Sequence, residues 1–522
     1  MSFLMDNLPI FLIAIPLVMA PITILTKGNP SLQKVIDIIV GFGLLCLSVL
    51  LITTVWKHGV IAYDVGEYGK YGIVIVADLL SSSMVLLNCL IGFLGLVYSY
   101  DYIEDKFLNQ TYHSLYNLML AGINGIFLTG DIFNMFVFFE IMLLSSAALI
   151  VSNENSKVTK TSDKMEATMK YMVLNMLGSN AMLIAVTSLY ASIGSLNMAD
   201  ITLKIRILAE SGAVPWHLYA VGLLFIIIYG GKAAIFPLHY WLPDVHPTAP
   251  SPISAMLSGV IIKIGAYGIL RVLFMIFAPF QAVYAPIILV MALITIGLGA
   301  TSAIGQSDVK RMLAYSSVSQ IGYVFLGFGM AAMANVAGEP AGAALILAAS
   351  MVYLINHALA KSMLFFTSGG IIHAAETRDM RKMGGMISKA PLMSAAFLVG
   401  AMSIGGVPPM GGFISKFMLF DAGLREQFYL PIAIAVIFAV FTLFYMFRGW
   451  ILIFWGERDK QYGEYSSHKL SPMILFPILF LAVIVLIVGL YPEPVVELSQ
   501  TIANQIIDPQ PYIDAVIVRV IR

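Results

Sequence analysis

Charged residues are scarce in this chain. Only 11% of its 522 residues are Asp, Glu, Lys or Arg, whereas 59% are hydrophobic. Soluble domains carry roughly 25% charged residues. So little charge cannot cover a water-soluble globule of this size, and the composition predicts a polytopic membrane protein.

Residues that mark several other function classes are also missing. The two cysteines, Cys46 and Cys89, are too few for an iron–sulfur cluster or a typical zinc site, and we expect both to be small core hydrophobes. The net charge is zero without a basic arm, so nucleic acid is not an expected partner. Gly231-Lys232 is followed by Ala233, which excludes a phosphate-binding loop and disfavours an ATP-driven pump. No metal is predicted, no cofactor either, and no cluster of nucleophiles supports a stand-alone enzyme.

Long apolar runs dominate the sequence. A bilayer core about 30 Å thick needs about 20 apolar residues per helix. On this measure the chain has about fourteen spans and a short amphipathic tail, about 495–520. The first run, Leu8 to Thr26, lacks a basic segment before it and a cleavage site, so it is expected to be a span. The spans are expected near residues 8–26, 35–55, 78–99, 113–130, 132–151, 168–192, 218–242, 252–276, 282–304, 312–332, 341–370, 391–420, 430–455 and 472–491.

The distribution of basic residues predicts the orientation. With the N-terminus outside and fourteen spans, inner loops hold about 17 of the 29 Lys and Arg residues, and outer segments hold about 8. The inner group includes Lys157, Lys160, Lys164, Arg378, Arg381, Lys382, Arg458 and Lys460. The positive-inside rule therefore places both termini outside a prokaryotic plasma membrane.

A few ionisable residues fall inside the expected spans. They are Glu140, Lys232, Lys263, Lys361 and Lys416, with His357 four residues before Lys361 and on the same helix face. Each central charge costs at least about 2.5–3.5 kcal/mol on insertion scales. A chain retains such residues for a function, so we expect them to face a hydrated or paired interior.

The signs of these charges favour proton transport. One carboxylate accompanies four lysines, and both desolvation and like-charged neighbours favour the neutral amine. Such lysines can bind and release protons near physiological pH. A sodium path needs several oxygen ligands, which one carboxylate does not supply. The row is therefore predicted to carry protons.

Two of the lysines lie beside predicted helix breaks. Lys232 follows Gly230 and Gly231 and precedes Pro237, and Lys416 follows Pro408 and Pro409 in SIGGVPPMGGFISKF. Broken helices at membrane depth occur where protein or a water cavity satisfies the freed backbone groups. Paired breaks in two halves indicate an inverted-repeat transporter. The alternative is a pair of ordinary kinks, which the adjacent lysines make less favoured.

Three residues near the first break have two interpretations. His239, His246 and Asp244 surround an expected Trp241–Asp244 turn near a membrane surface. They could take up or release protons, or the histidines could simply cap and hydrogen-bond the loop. Asp308, Lys310 and Arg311 are expected to form a solvated cluster without chemistry.

These motifs resemble a known superfamily. FFEIMLLSS around Glu140, GGKAAIFPLHYWLPDVHPTAPSPISAMLSGVIIKIGAYGILR, QSDVKRMLAYSSVSQIGY, NHALAKSMLFF and GGFISKF are similar to the antiporter-like subunits of Mrp-type cation/proton antiporters, respiratory NADH dehydrogenase and membrane-bound hydrogenases. The ending IDPQPYIDAVI resembles the D subunit of the Mrp antiporters. Some members of the superfamily have glutamate where this chain has Lys416.

The resemblance implies an all-α fold of fourteen helices with two inverted five-helix repeats. It implies N-terminal helices over 1–110, repeats over 111–278 and 279–456, and a last span with a short tail over 457–522. It also assigns roles: Glu140 is the carboxylate paired with Lys232, Lys263 the connecting lysine, His357 and Lys361 the middle pair, and Lys416 the lysine of the second break.

The expected function is an ion-translocating subunit of a multisubunit Mrp-type sodium/proton antiporter. Its partners would be other membrane subunits and protons, with sodium passing through a neighbouring subunit. One alternative is the same module in a redox-driven complex, such as a membrane-bound hydrogenase, sulfur reductase or NADH dehydrogenase-like enzyme, whose redox centres lie in other chains. Another is a self-sufficient solute transporter, which predicts a polar pocket of mixed chemistry at the breaks.

Overall fold

The computed structural model describes residues 2–66, 72–104, 108–152, 158–212, 214–458 and 471–521. Two lysines used for the orientation, Lys157 and Lys460, lie outside these ranges. The first helices are α1 Ser2–Leu25, α2 Pro30–His58, α3 Leu79–Tyr102, α4 His113–Leu128, α5 Ile132–Ile150, α6 Thr161–Ile193, α7 Met198–Glu210, α8 Trp216–Lys232, α9 Trp241–Thr248 and α10 Ser251–Ile276. The others are α11 Gln281–Ile304, α12 Val309–Val336, α13 Pro340–Ala375, α14 Pro391–Gly405, α15 Gly411–Arg425, α16 Tyr429–Trp450, α17 Pro472–Leu490, α18 Glu493–Ile507 and α19 Gln510–Ile521.

The predicted helical membrane fold is confirmed. Within the described ranges, 11 helices are long and apolar enough to cross a bilayer. The remaining expected spans correspond to α4 and to two interrupted pairs, α8 with α9 and α14 with α15. The total of fourteen and the repeat boundaries stay predictions.

Some local predictions are wrong. A short antiparallel hairpin, β1 Ile61–Val65 and β2 Ile73–Ala77, connects α2 to α3, with Tyr63 opposite Ile75. The expected amphipathic tail is present, and it consists of two helices, α18 and α19. Cys89 is buried as expected, but Cys46 is exposed on α2 and is not a core residue.

Polar caps explain where several helices begin. The Asp78 carboxylate accepts a hydrogen bond from the backbone N–H of Ser81 at 2.8 Å and starts α3. Asp131 starts α5 and Asp308 starts α12 in the same way. A side-chain oxygen at this position satisfies a backbone donor that the first helical turn leaves free.

The helices α10, α12 and α13 form the centre of the bundle. The most apolar segments of these helices are 94 to 100% buried, whereas the corresponding segments of α2 and α16 are only 28% buried. The three central helices pack against one another, and α18 crosses α13. Side chains on α10 and α13 therefore lie far from lipid and water.

The C-terminal helix is anchored to this centre. Arg271 of α10 forms an ion pair with Asp78 at 2.7 Å, and both side chains are more than nine-tenths buried. The Tyr512 ring of α19 lies 4.8 Å from the Arg271 guanidinium, which favours a cation–π contact. The tail is thus part of the folded core.

Both predicted helix breaks are present. The helix α8 ends at Lys232, and the Gly231 carbonyl accepts hydrogen bonds from the Ala234 backbone N–H at 3.1 Å and from the Trp241 indole at 3.0 Å. The helix α14 ends at Gly405, and Gly406 adopts φ +78°, where glycine avoids steric strain. The peptide bonds before Pro237 and Pro409 are cis.

Candidate functional site

The predicted proton-carrying residues lie in the interior. Lys232 and Lys416 are 4% exposed, Lys263 is 1% exposed, and His357 and Lys361 are fully buried. Glu140 on α5 is partly buried. None of the four amines therefore faces open solvent.

The expected contact between Glu140 and Lys232 is not formed in this structure. The Lys232 amine donates to the Asn175 carbonyl at 3.4 Å and to the Ser179 hydroxyl at 3.3 Å, both on α6. The Glu140 Oε1 atom is buried without a hydrogen-bond partner. Glu140 acts on Lys232 only through longer-range electrostatics. The direct ion pair is thus a correction to the sequence-based expectation: the two residues are neighbours, but the pair is open.

The Lys232 amine also faces an aromatic ring. It lies 5.0 Å from the centroid of Phe139, the residue that precedes Glu140. An ammonium over a ring face gains electrostatic attraction without a carboxylate. Phe139 and the two α6 acceptors together stabilise the charged amine while the Glu140 pair is open.

Two serine hydroxyls lie beside the backbone carbonyls that accept hydrogen bonds from the middle lysines. Lys263 donates to the carbonyl of Ser258, and the Ser258 hydroxyl lies 2.8 Å from that of Ser317 on α12. The Ser317 hydroxyl donates to the Leu313 carbonyl at 2.9 Å, and Lys361 donates to the same carbonyl at 3.0 Å. Hydroxyl groups both donate and accept, and they rotate freely. Neither amine bonds to a hydroxyl in this structure, so transfer along the serine pair requires each amine to turn from its carbonyl to the neighbouring hydroxyl.

A π-helical turn positions the first of these serines. Residues Leu257–Ile261 form one π-turn inside α10, just before Lys263. Such turns are rare in helices and are frequent at functional sites. The turn places the Ser258 carbonyl against the Lys263 amine.

His357 lies at the centre of the row without a hydrogen-bond partner. Both ring nitrogens are buried and unpaired among the described residues. Electrostatic interactions link this histidine to Lys263, Lys361 and Lys416. An imidazole that can accept a proton on one nitrogen and release it from the other suits a position between three amines.

Lys416 closes the row at the second break. Its amine donates to the Ile404 carbonyl at 2.9 Å, at the end of α14. It also lies 4.9 Å from the Tyr323 ring and 5.7 Å from the Tyr353 ring. Lys416 thus lies beside the end of α14, where the chain is interrupted.

Hydrogen-bonded side chains that the sequence did not reveal surround Lys416 and His357. The Gln320 amide donates to Thr442 at 3.1 Å and to Tyr445 at 3.3 Å, and accepts from Tyr353. Tyr445 donates to Ser316 at 2.8 Å. Because each of these residue types is common in helices, only the packing of α12, α13 and α16 reveals the cluster.

The three residues near the first break do not form one surface group. Trp241–Thr248 is the helix α9 rather than a turn. His246 is fully buried, its ring stacks on Phe365 at 4.3 Å, and both its ring nitrogens are unpaired among the described residues. His239 is also buried. His246 is therefore a buried helix residue and not a loop histidine, whereas His239 lies in the segment between α8 and α9 as expected.

Asp244 alone reaches a solvated cleft. It pairs with Lys170 at 3.0 Å and with Arg311 at 3.3 Å. Other charged residues of the cleft are Asp163, Glu166, Asp308 and Arg378. This cleft, between α6 and the N-terminus of α12, can supply protons from water to the neighbouring helices.

Lys310 is a functional candidate, although the sequence predicted that it belongs to a solvated cluster. It is only 1% exposed, and its amine donates to the Ala249 carbonyl at 2.8 Å. It also interacts electrostatically with His246. No signal in the sequence indicated this burial, because Lys310 follows the helix-capping Asp308, where charged residues are usually solvated.

The helices bring these residues into one polar row. Contacts run from α5 to α6, then to α8, α10, α13 and α15. The order of the side chains is therefore Glu140, Lys232, Lys263, Lys361 with His357, and Lys416. The described residues contain no group of three or more His, Cys, Asp or Glu side chains that could hold a metal ion.

Comparisons with known proteins agree with this architecture. The family described as NADH:quinone oxidoreductase/Mrp antiporter, TM, matches residues 129–442. The chain is 34% identical to the D subunit of the Na(+)/H(+) antiporter of Alkalihalophilus pseudofirmus, over 98% of this chain and 100% of that protein. It is 31% identical to the corresponding D subunit of Bacillus subtilis over the same shares.

Solved structures give the same result. A chain of the Mrp complex from Dietzia sp. superposes with a TM-score of 0.87 and 27% identity, covering 98% of this chain and 99% of that one. A chain of an archaeal membrane-bound sulfane sulfur reductase superposes with a TM-score of 0.83 and 27% identity, covering 97% and 99%. The family match covers more than half of the chain, and full-length relatives exceed 30% identity. This protein therefore belongs to the NADH:quinone oxidoreductase/Mrp antiporter transmembrane family, on the branch that resembles the D subunit of the Mrp antiporters.

Proposed function

We propose that this chain is the proton-conducting subunit of a multisubunit Mrp-type sodium/proton antiporter in a prokaryotic plasma membrane. Its full-length relatives in two bacteria are sodium/proton antiporter subunits. The observation that carries the proposal is the buried row of four amines, connected in its middle by Ser258 and Ser317. Other membrane subunits complete the assembly, as in the two multisubunit complexes that contain structural neighbours.

The proposed mechanism begins at Lys232. When the Glu140 pair closes, the carboxylate stabilises the charged amine; when it opens, the desolvated amine releases its proton toward Lys263. An opposite charge within about 4–6 Å changes the proton affinity by about 1.4–4 kcal/mol. The structure has the pair open, with the amine held by α6.

Protons then pass along the middle of the row. The Ser258 and Ser317 hydroxyls lie between Lys263 and Lys361, and His357 lies between these lysines and Lys416. In this proposal Asp244, His246 and Lys310 connect the row to the solvated cleft. His239 is a second candidate for uptake or release near the first break.

The test is transport by the assembled complex in proteoliposomes. Glu140→Ala and Lys232→Ala are each expected to abolish sodium-driven proton movement while the subunits still co-purify. Normal transport by either variant contradicts the scheme. The alternative role of Glu140 is a static structural charge. Glu140→Asp separates the two roles, because a static charge tolerates the shorter side chain and a distance-dependent switch does not.

A second candidate function is a membrane-arm subunit of a redox-driven complex. It is favoured by the fit to the sulfane sulfur reductase chain, with a TM-score of 0.83. The redox centres would then lie in other chains. Iron analysis of the purified native assembly separates the candidates, because only the redox complex contains iron–sulfur centres.

The solute-transporter hypothesis is less favoured. It predicts a polar pocket of mixed chemistry at the breaks. The cavity beside the first break is lined mainly by Leu, Ile, Gly and Ala side chains, with Lys232, Asn175 and Trp241 as its polar members. Such a cavity does not suit a polar solute.

A further inference from the structure

An apolar cavity of about 190 Å³ lies beside Lys232, between α6 and α8. Its rim includes Leu177 and Ile227, whose side chains are 61% and 43% exposed on the outside of the bundle. The cavity therefore opens on the outer face of the bundle, between two apolar helices. Molecules dissolved in the lipid can reach it.

The Lys232 amine, which lines the cavity, has hydrogen-bonding capacity left for a ligand. Lys232 lines the cavity, and its two hydrogen bonds are long, at 3.3 and 3.4 Å. An ammonium has three donors. The Glu140 carboxylate acts on it only at longer range. A carboxylate in the cavity would supply the direct counter-charge that a buried cation otherwise lacks.

The size of the cavity restricts the ligand. An apolar cavity of about 150 Å³ accommodates benzene, so this one holds a comparable part of a larger molecule. The rest of an acyl chain would extend along Leu177 and Ile227 to the lipid. The complementary ligand is one negative head group on an apolar chain.

We propose that this cavity is a binding site for long-chain fatty acids, with the carboxylate at Lys232 and the acyl chain between α6 and α8. The site goes beyond the proposed function, because binding can be measured whether or not the complex transports protons. An occupied site would hold Lys232 charged and would keep Glu140 from pairing with it.

Trp241 provides a direct probe of occupancy. Its side chain lines the cavity, and bromine atoms quench indole fluorescence at short range. The experiment uses the whole complex in nanodiscs of unbrominated lipid, titrated with a brominated fatty acid or with its methyl ester. The difference between the complex and its Trp241→Phe variant isolates the Trp241 signal. The acid is expected to quench that signal at a concentration at least tenfold lower than the ester.

Two further variants test the location. Gly178 lines the cavity, and a Cβ built on it meets nothing within 4 Å, so Gly178→Leu can begin a side chain there and place its branched end against the cavity. Gly43→Leu is the matched control, because Gly43 on α2 has the same open surroundings. Gly178→Leu is expected to remove the quenching and Gly43→Leu to keep it. In Lys232→Met, the acid and the ester are expected to quench Trp241 at the same concentration.

Three results would overturn the proposal. Equal quenching by acid and ester in the unmodified complex would mean ordinary contact with lipid chains. Quenching that survives Gly178→Leu would place the ligand elsewhere. Absence of quenching would mean that the acid does not bind or that a neighbouring subunit covers the cavity. These quenching measurements do not depend on transport. A complex that fails to transport protons can therefore still bind the acid, and the two proposals can fail separately.

Discussion

The hydroxyl bridge between Ser258 and Ser317, beside the carbonyls bonded to Lys263 and Lys361, gives a sharp test of the proposed proton path. Ser317→Ala removes the only side-chain oxygen that contacts both the Ser258 hydroxyl, at 2.8 Å, and the carbonyl shared with Lys361, at 2.9 Å, among the described contacts. The helix itself is retained, because alanine is the best helix former. The substitution therefore interrupts the chain with little change in the fold.

The expected magnitude follows from the buried partner. Ser258 is fully buried, and without Ser317 its hydroxyl loses this contact. Leaving one buried polar group unsatisfied costs about 1–3 kcal/mol. If a proton passing Ser258 loses a stabilisation of this size in the transition state only, transport slows about 5- to 150-fold, since each 1.36 kcal/mol is tenfold in rate.

The assay is sodium-driven proton movement in proteoliposomes, followed with an entrapped pH-sensitive dye. Ser317→Thr is the first control, because threonine keeps the hydroxyl and can still bond to the carbonyl four residues earlier. Ser319→Ala is the second: this serine lies on the same helix, is fully buried and donates only to the Ile296 carbonyl, at 3.1 Å, apart from a weak contact with Gln320. We expect both controls to transport at near the unmodified rate.

Two outcomes would refute the bridge. The first is an unchanged rate in Ser317→Ala, which would mean that protons cross by another route or through water. The second is an equal loss in Ser319→Ala, which would mean that packing of α12, and not the hydroxyl chain, limits transport.

Three other predictions concern stability and use thermal unfolding of the purified complex, with limited proteolysis where stated. Burial raises the pKa of Asp131 to about 6, so the folded state binds this proton more tightly, and stability increases as pH falls from about 6 to 4. Asp131→Asn should remove that slope and stabilise the protein at pH 8 by on the order of 1–3 kcal/mol; an unchanged slope would disprove the assignment. Asp37→Ala removes the partner of the buried His113 and should destabilise by about 1–3 kcal/mol, the cost of an unsatisfied buried polar group, whereas an unchanged melting temperature would argue against this contact. Tyr512→Leu loses the cation–π contact with Arg271, so proteolysis of the C-terminal helix should accelerate, and equal cleavage rates would contradict the anchor.

The main features of the site were predictable from sequence because charge inside an apolar run is a local signal. Lys232, Lys263, Lys361 and Lys416 stand out without any knowledge of packing, and insertion energies imply an interior position. The glycine and proline residues of the two breaks are equally local. The structure accordingly confirms the buried positions and both interruptions.

Features that depend on distances between helices were not predictable. Ser258 and Ser317 are ordinary helix residues until α10 and α12 place their hydroxyls 2.8 Å apart. The Glu140 and Lys232 pair is open because the amine donates to an acceptor on α6 instead. The sequence does not show that α6 lies within reach. Lys310 was missed because it follows Asp308 at a helix start, where charged residues are usually solvated. The β1–β2 hairpin was not predicted, because its two short strands carry no pattern that distinguishes them from the long apolar runs on either side.

Backbone dipoles add a further distinction between the ends and the middle of the row. Lys232 is the last residue of α8, and the Lys416 amine bonds to a carbonyl in the last turn of α14. Helix C-termini carry a partial negative charge that favours cations. Lys263 and Lys361 lie within continuous helices and repel each other, so they lack this support. Protons should therefore reside at the two broken ends and cross the middle only briefly, which explains why the breaks and the lysines occur together: the same interrupted helices that allow movement also provide the two places where an ammonium is stable.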